Sequence, residues 1–397
     1  MKNKEQVVVQ ESNGRWVALT LAGLAVILSM TVWFSATAIL PQMVAHFGLG
    51  TSAAAWLTNG VQAGFVVGAL GSALLSVADV VRLTRLMAGA AVLAALANGV
   101  ILLEPGTGGL IAARFMTGLA LAGVYPPAMK FIATWFQAGR GLAMGAIVGA
   151  LTLGSALPHL VGALGVGFDW RLVIAVTSLA SMLAAVVFLV ALKEGPHAFA
   201  RTTVDPRHIG AILRNRPVML ANFGYFGHMW ELYAMWGWFL AYVAAAGLGL
   251  NASIMAFAVI ALGAPGSVVA GVLADRFGRP RVTAVILGLS GSCALLIGVA
   301  FDGPVWLFVL IAGLWGLTVV ADSAQFSALV SELSPPHLVG SALAFQMGVG
   351  FLITIGMIWI TPLLAGWAGS WRWTFLILVP GPVFGAWAML RLQRSMA

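Results

Sequence analysis

Two side chains that can take up and release a proton stand inside an apolar segment at residues 218–246. Glu231 lies about thirteen residues into it and His228 one turn earlier, so a helix puts them at neighbouring positions. Acids and histidines inside a bilayer are costly and mark ion or substrate paths, which makes this pair the leading candidate for proton coupling. Tyr225, His228, Leu232 and Met235 fall on one stripe, with Trp230, Trp236 and Trp238 nearby, the composition of an aromatic binding wall. The structural alternative is that His228 and Glu231 pair only to lock helix packing.

Other polar residues stand in similar runs. Arg114 opens the segment Ala112-Ala113-Arg114-Phe115-Met116-Thr117-Gly118, and Tyr125 follows in Gly123-Val124-Tyr125-Pro126-Pro127. A charge at the bilayer centre costs about 2.5–3.5 kcal/mol on insertion scales. Arg114 therefore either attracts an anionic substrate or a carboxylate, or it bonds helix-end carbonyls. Asp322, with Ser323 and Gln325, reads as a proton relay, a gate partner or a helix-interface hydrogen bond. Asn59, Gln62 and Gln346 are polar candidates for the same cavity. The chain has no G-x-x-x-x-G-K-[ST] phosphate loop, no H-E-x-x-H and no Cys/His cluster, so no ATP-driven domain, metal site or cofactor is expected.

The elements that must hold these residues are membrane helices. Of 397 residues 61% are hydrophobic and 8% charged, against roughly 25% charged in soluble domains. Runs of about 20 apolar residues, the length that crosses a bilayer, recur at 16–40, 53–78, 85–103, 109–131, 141–163 and 170–192, then at 218–246, 251–274, 281–300, 305–330, 340–365 and 372–392. The fold class is an all-α membrane protein of twelve transmembrane helices in two pseudo-symmetric six-helix bundles, residues 1–192 and 218–397, joined by a polar linker at 193–217. The first run, after Lys2, Lys4 and Arg15, is longer than a signal peptide's apolar region and is read as a retained helix.

The net charge of +8 does not indicate a nucleic-acid partner, because the basic residues sit in loops rather than on a surface patch. With a cytoplasmic N-terminus, 17 of the 20 Lys and Arg residues fall on the cytoplasmic side, the exceptions being Arg114, Arg171 and Arg372. That bias places both termini inside, in a multi-pass protein of the plasma or bacterial inner membrane. Cys293 lies in an apolar run and has no second cysteine to pair with.

The two halves are related by an internal repeat. Asp169-Trp170-Arg171 precedes the sixth run and Trp371-Arg372-Trp373 the twelfth. Gly141-x-Ala143 matches Gly340-x-Ala342, and Pro158 matches Pro362, all about 200 residues apart. Such parallel repeats recur in secondary transporters, with the substrate between the halves near the midplane.

The most specific motif is Gly271-Val272-Leu273-Ala274-Asp275-Arg276-Phe277-Gly278-Arg279-Pro280-Arg281, between the eighth and ninth runs. It resembles the signature loop of the major facilitator superfamily, G-x-L-A-D-R-x-G-R-[KR], with Pro280 replacing the second basic residue. Gly271 permits close helix approach, Gly278 a tight reversal, and Asp275 can pair with an Arg or cap a neighbouring helix. The resemblance implies a gate made of Gly271, Asp275, Arg276, Gly278 and Arg279. The first-half counterpart, Ser76-Val77-Ala78-Asp79-Val80-Val81-Arg82-Leu83-Thr84-Arg85, keeps only the Asp and scattered basic residues. Arg114-Phe115 and Gly118 resemble the family's R-F-x-x-G segment. In the fifth run Gly141, Gly145 and Gly149 form a small-residue ladder, while Leu157-Pro158-His159-Leu160-Val161-Gly162 departs from the G-P-x-x-G-G of drug exporters.

The chain thus reads as a monomeric, proton-coupled carrier of a small solute in a lipid bilayer, working by alternating access and not an enzyme. In general style it is most similar to bacterial nitrate, cyanate and organic-anion carriers, so a small anion is the expected substrate. Proton-driven efflux of amphiphilic compounds is the alternative transport reading, and an intramembrane enzyme or receptor the non-transport one.

Overall fold

In the computed structural model, residues 2–137, 139–164, 169–197 and 204–396 are described, excluding the side chains of residues 2–13, Asp79 and Pro206. Arg201 of the linker and the Asp79 carboxyl fall outside them, so the first-half copy of the gate acid is not placed.

The twelve spans are helices: α1 (Lys2–Met30), α2 (Thr51–Leu74), α3 (Leu83–Gly99), α4 (Gly106–Leu121, resumed at Tyr125–Ala133), α5 (Arg140–Leu164), α6 (Trp170–Val186), α7 (Arg216–Ala246), α8 (Ala252–Phe277), α9 (Arg279–Ala300), α10 (Val305–Thr318, resumed at Ser323–Leu333), α11 (Val339–Ala368) and α12 (Pro380–Met396). Among the described residues ten meet the length and apolarity needed to cross a bilayer; the others are α1, apolar over Gly14–Met30, and the more polar α7. Leu179, Val190, Val299 and Leu310 are exposed on the outside, where lipid rather than water must meet them.

Helices α1–α6 pack among themselves, as do α7–α12; the two groups meet mainly where α5 lies on α8 and α2 on α11. Lipid tails are as apolar as leucine, so helices associate here through close backbone approach. A Cβ on Gly118 of α4 would lie 1.9 Å from the Val61 carbonyl oxygen of α2, and one on Gly64 of α2 the same distance from that of Phe115. On the α5–α8 seam, a Cβ at Gly145 would meet the Ser267 carbonyl oxygen at 2.7 Å and one at Gly149 that of Ala264 at 3.0 Å. The glycine ladder therefore joins the halves.

The run at 16–40 is not one continuous helix. α1 ends at Met30, the chain turns through residues 31–34, and short helices follow at Ser35–Ala38 and Leu40–Phe47. Thr31 and Ser35 hydroxyls bond the carbonyls of Leu28 and Val32, offering the backbone an alternative to the helix ladder. α4 and α10 also break, before Tyr125 and after Thr318.

On the face opposite the chain termini the repeat becomes visible. Arg171 bonds Glu104 and Asp169, and Arg372 lies 2.7 Å from Asp302, so each half ties its sixth helix to the turn after its third. His46 adds a 3.3 Å contact to Glu104 in the first half only. The His46 and Arg171 bonds hold the Glu104 carboxyl below its ordinary range, so this clasp is lost only as pH falls through that lowered value.

Gly118→Val must push α2 and α4 apart and should cost at least about 1–3 kcal/mol, read as a drop in melting temperature of detergent-purified protein. Gly89→Ala, with nothing within 4 Å of its Cβ, should melt like wild type. Equal melting of both variants would refute the backbone contact.

Candidate substrate site and gate

Arg114 is fully buried, and its guanidinium meets five acceptors. Nε donates to the Leu57 carbonyl, Nη1 to the Val32 carbonyl, Ser35 Oγ and Asn98 Oδ1 at 2.9–3.1 Å, and Nη2 to the Trp33 carbonyl. A guanidinium has five N–H donors; here Nε, both on Nη1 and one on Nη2 are taken by protein acceptors, which leaves a single Nη2–H for any substrate anion or carboxylate. Arg114 satisfies the carbonyls that the α1 break strands inside the bilayer. Asn98 extends this knot to α6 by donating to Ile174 O, Thr177 Oγ1 and Ser178 Oγ.

The second half holds the acids. His228 and Glu231 are each 1% exposed but do not pair with each other, because both side chains reach other helices. Glu231 accepts from Ser290 Oγ of α9 at 2.9 Å and from Trp315 Nε1 of α10 at 2.7 Å. His228 Nδ1 lies 2.9 Å from Asp322 Oδ1 at the α10 break, and its Nε2 has no partner. Trp315 stands 201 residues after Arg114, the same offset that separates Arg171 from Arg372. In each half the fourth helix thus sends a donor to the first, to carbonyls of the broken α1 and to a carboxyl of the unbroken α7.

Between the halves lies an aromatic cluster that periodicity did not reveal. Trp33 and Phe34 at the α1 break meet Phe65 of α2, Tyr233 and Trp236 of α7 and Phe351 of α11, with ring centroids 4.7–6.4 Å apart. Of the expected wall only Trp236 belongs to it. Trp230 and Trp238 instead donate to the Ile377 and Ile358 carbonyls, while Tyr225 packs near His228 and Phe326 inside the second half. Thr31-Val32-Trp33-Phe34-Ser35, a polar-flanked aromatic pair in an apolar run, was the available signal.

Among the described residues, buried polar atoms with no hydrogen-bond partner include the Trp33 and Trp236 indole N–H groups of the cluster itself, both amide atoms of Gln62 and Asn59 Oδ1 on the α2 turns before Phe65, and both ring nitrogens of His159 on α5. Asn59 Nδ2 crosses the seam to the Ile355 carbonyl at 3.2 Å. Gln346 accepts from Ser327, its Nε2 unpartnered. Tyr125, half-buried, opens the second segment of α4. A cavity of about 570 Å³ lies toward the face opposite the termini, lined by Thr37, Leu40, Gly237, Trp238, Pro362, Trp371 and neighbours.

The other face is shut. A Cβ on Gly141, at the start of α5, would lie 2.4 Å from Asp275 Oδ2, so the carboxylate of α8 sits on the N-terminal turn of α5, where the helix dipole favours an anion. Arg279 holds that acid at 3.5 Å and bonds Glu332 at 3.1 Å and Gln325 at 2.5 Å. Gln325 therefore belongs to the gate, not to the cavity. Gly278 adopts φ 88°, which favours glycine, and Arg276 is exposed against the Phe277 ring. In the first half Glu194 caps α3 by accepting from Leu83 N, and Lys130 donates to the Ala78 carbonyl.

Two six-helix bundles meeting at a central aromatic seam define a polytopic helical membrane protein with an internal repeat. The Major Facilitator Superfamily model matches residues 22–352 and 251–395, and the chain belongs to that superfamily. A "Glucose transport protein" of Synechocystis is 34% identical over 160 residues, 36% of this chain and 32% of that one. The "MFS transporter asaE" of Aspergillus flavus is 25% identical over 270 residues, 64% of this chain and 57% of that one. A "3-(3-hydroxy-phenyl)propionate transporter" of Escherichia coli is 30% identical over 128 residues, 29% and 30% of the two chains. Thus the chain spans about a third to just over half the length of these relatives. Among solved structures, a bacterial homolog of the human lysosomal transporter Spinster is 14% identical with a TM-score of 0.72, covering 96% of this chain and 97% of that one. The proton:xylose symporter XylE is 15% identical with a TM-score of 0.72, covering 96% of both. These two likenesses concern the fold.

Arg114→Gln strands the Trp33 carbonyl and leaves Val32 with the Ser35 hydroxyl alone, at about 1–3 kcal/mol for the stranded group, and should lower the yield of folded protein after detergent extraction. Normal folding with selective loss of anion binding would instead make it a substrate ligand. Asp275→Asn removes the charge at the α5 N-terminus. Spin-label distances across the gate, in a Cys293→Ala background, should then show more open molecules; an unchanged distribution would refute the gate role.

Proposed function

We propose that the protein is a proton-coupled secondary carrier of a small, ring-bearing organic solute, working by alternating access between its two bundles. The observation that carries this reading is the aromatic cluster at the seam, built by α1 and α2 from one half and α7 and α11 from the other. Rocking of one half against the other would part those rings and expose the unpartnered polar groups beside them. The solutes named for the partial relatives, glucose and a hydroxyphenylpropionate, are both hydroxylated rings. The anion reading would rest on one Nη2–H of Arg114, since its other donors are taken by protein acceptors.

Proton coupling rests on Glu231, His228 and Asp322. Glu231 has two neutral donors and no cation, and an uncompensated charge in a bilayer-spanning bundle costs several kcal/mol. A state change that rearranges α7 against α9 and α10 would alter those donors and move the proton. Because 17 of the 20 basic residues fall in sequence segments assigned to the side of the termini, we take that face as cytoplasmic and the closed gate as facing inward. A bacterial inner or plasma membrane location and a functional monomer complete the proposal.

Glu231→Gln should reduce gradient-driven uptake into liposomes to leak level while solute exchange without net proton movement continues. Uptake with wild-type pH dependence would remove Glu231 from the coupling role.

A further inference from the structure

We infer that the solute is an uncharged, hydroxyl-bearing ring compound of monosaccharide size, bound between the aromatic cluster and the unpartnered polar groups of α2 and α5. The inference deepens the carrier reading and rests on it.

Charge comes first. The cavity of about 570 Å³ falls within the usual range of ligand pockets, roughly 300–1,000 Å³. None of its described lining residues is charged; its polar side chains are Thr37, Thr51, Ser370 and the Trp238 and Trp371 indoles. Deeper in, Arg114 keeps only one Nη2–H beyond its protein acceptors, Glu231 faces Ser290 and Trp315, and His228 lies against Asp322. An anion entering this path would give up its hydration along an uncharged wall for, at most, that single donor. An uncharged solute has only its hydroxyl groups to satisfy.

The ring faces come next. Trp33 and Tyr233 lie 5.8 Å apart at 17°, and Phe34 and Tyr233 6.4 Å apart at 9°. These near-parallel pairs each take one ring from either half, so parting of α1 and α7 opens a slot with two flat apolar walls. The C–H faces of a saturated ring or the plane of an aromatic one fit such a slot. Thr37, one turn beyond Phe34, and Gly237, next to Trp236, connect it to the cavity.

The polar atoms then select hydroxyls. Asn59 Oδ1 and Gln62 Oε1 accept, Gln62 Nε2 and the two indoles donate, and neutral His159 does one of each. A hydroxyl both donates and accepts, whereas a carboxylate or nitrate only accepts and would leave Asn59 and Gln62 oxygens unpaired. His159 faces the same seam. Gly145, Thr152 and His159 recur every seven residues along α5, on the side where Gly145 touches Ser267 of α8.

The test is counterflow exchange by purified protein in liposomes, with D-glucose and D-xylose as polyol probes and nitrate and 3-hydroxyphenylpropionate as anions. Exchange moves no net proton, so it reads solute class independently of Glu231. Saturable exchange of a polyol and none of the anions is expected. Gln62→Leu and His159→Leu should each raise the polyol's apparent KM about tenfold at an unchanged melting temperature. If either variant misfolds, deoxy analogues competing against wild type give the same readout, each lost hydroxyl weakening competition. Exchange of an anion alone overturns the inference and leaves the carrier reading standing. Exchange of neither class overturns both, and a KM unmoved in both variants overturns the assigned site.

Discussion

A helix that breaks inside a bilayer strands carbonyls that no water reaches, and each must find a donor within the protein. α1 breaks at residues 31–34, just where Trp33 and Phe34 enter the seam between the halves. The Arg114 guanidinium makes that break tolerable by meeting Val32, Trp33 and Leu57 carbonyls together with Ser35 and Asn98. Through Asn98 the same knot reaches α6, so one buried cation organises five of the first six helices. The aromatic cluster depends on it, because an unbroken α1 would not present two successive rings to the other half.

The second half solves the equivalent problem differently. α7 runs unbroken from Arg216 to Ala246 and strands no carbonyls. Its fourth-helix donor is the neutral Trp315 indole, and the acceptor is the Glu231 carboxyl. One half therefore holds a permanent charge fixed among dipoles, while the other holds acids and a histidine whose charge can change. On the proposed reading, the first half would frame the ring site and the second would hold the coupling proton.

The seam between them is close-packed at one end and open at the other. Gly141, Gly145 and Gly149 let α5 lie on the α8 backbone, and the Asp275 carboxylate sits against the first turn of α5. Contacts this tight have few intermediate arrangements, which on the proposed reading would make the gate held or released rather than graded. Toward the opposite face no such ladder continues, and the cavity occupies the space.

Much of this was legible in the residues alone. Twelve apolar runs, the charge bias and the Gly271–Arg279 loop determine a two-bundle membrane carrier, because bilayer thickness and the lack of water leave apolar segments of that length few other folds. Local spacing also marked Glu231, His228, Asp322 and Arg114 as candidates for a role, and all four are buried among polar partners. Spacing could not say which partner each would take. His228 and Glu231 are neighbours in sequence yet reach Asp322 and Ser290 on other helices, and Gln325 joins Arg279 at the gate. The aromatic cluster gathers rings from residues 33 to 351, so no window of sequence contains it. Packing decided these points, since a side chain's partner in a bundle is set by which helices meet at its depth, a property of twelve helices at once.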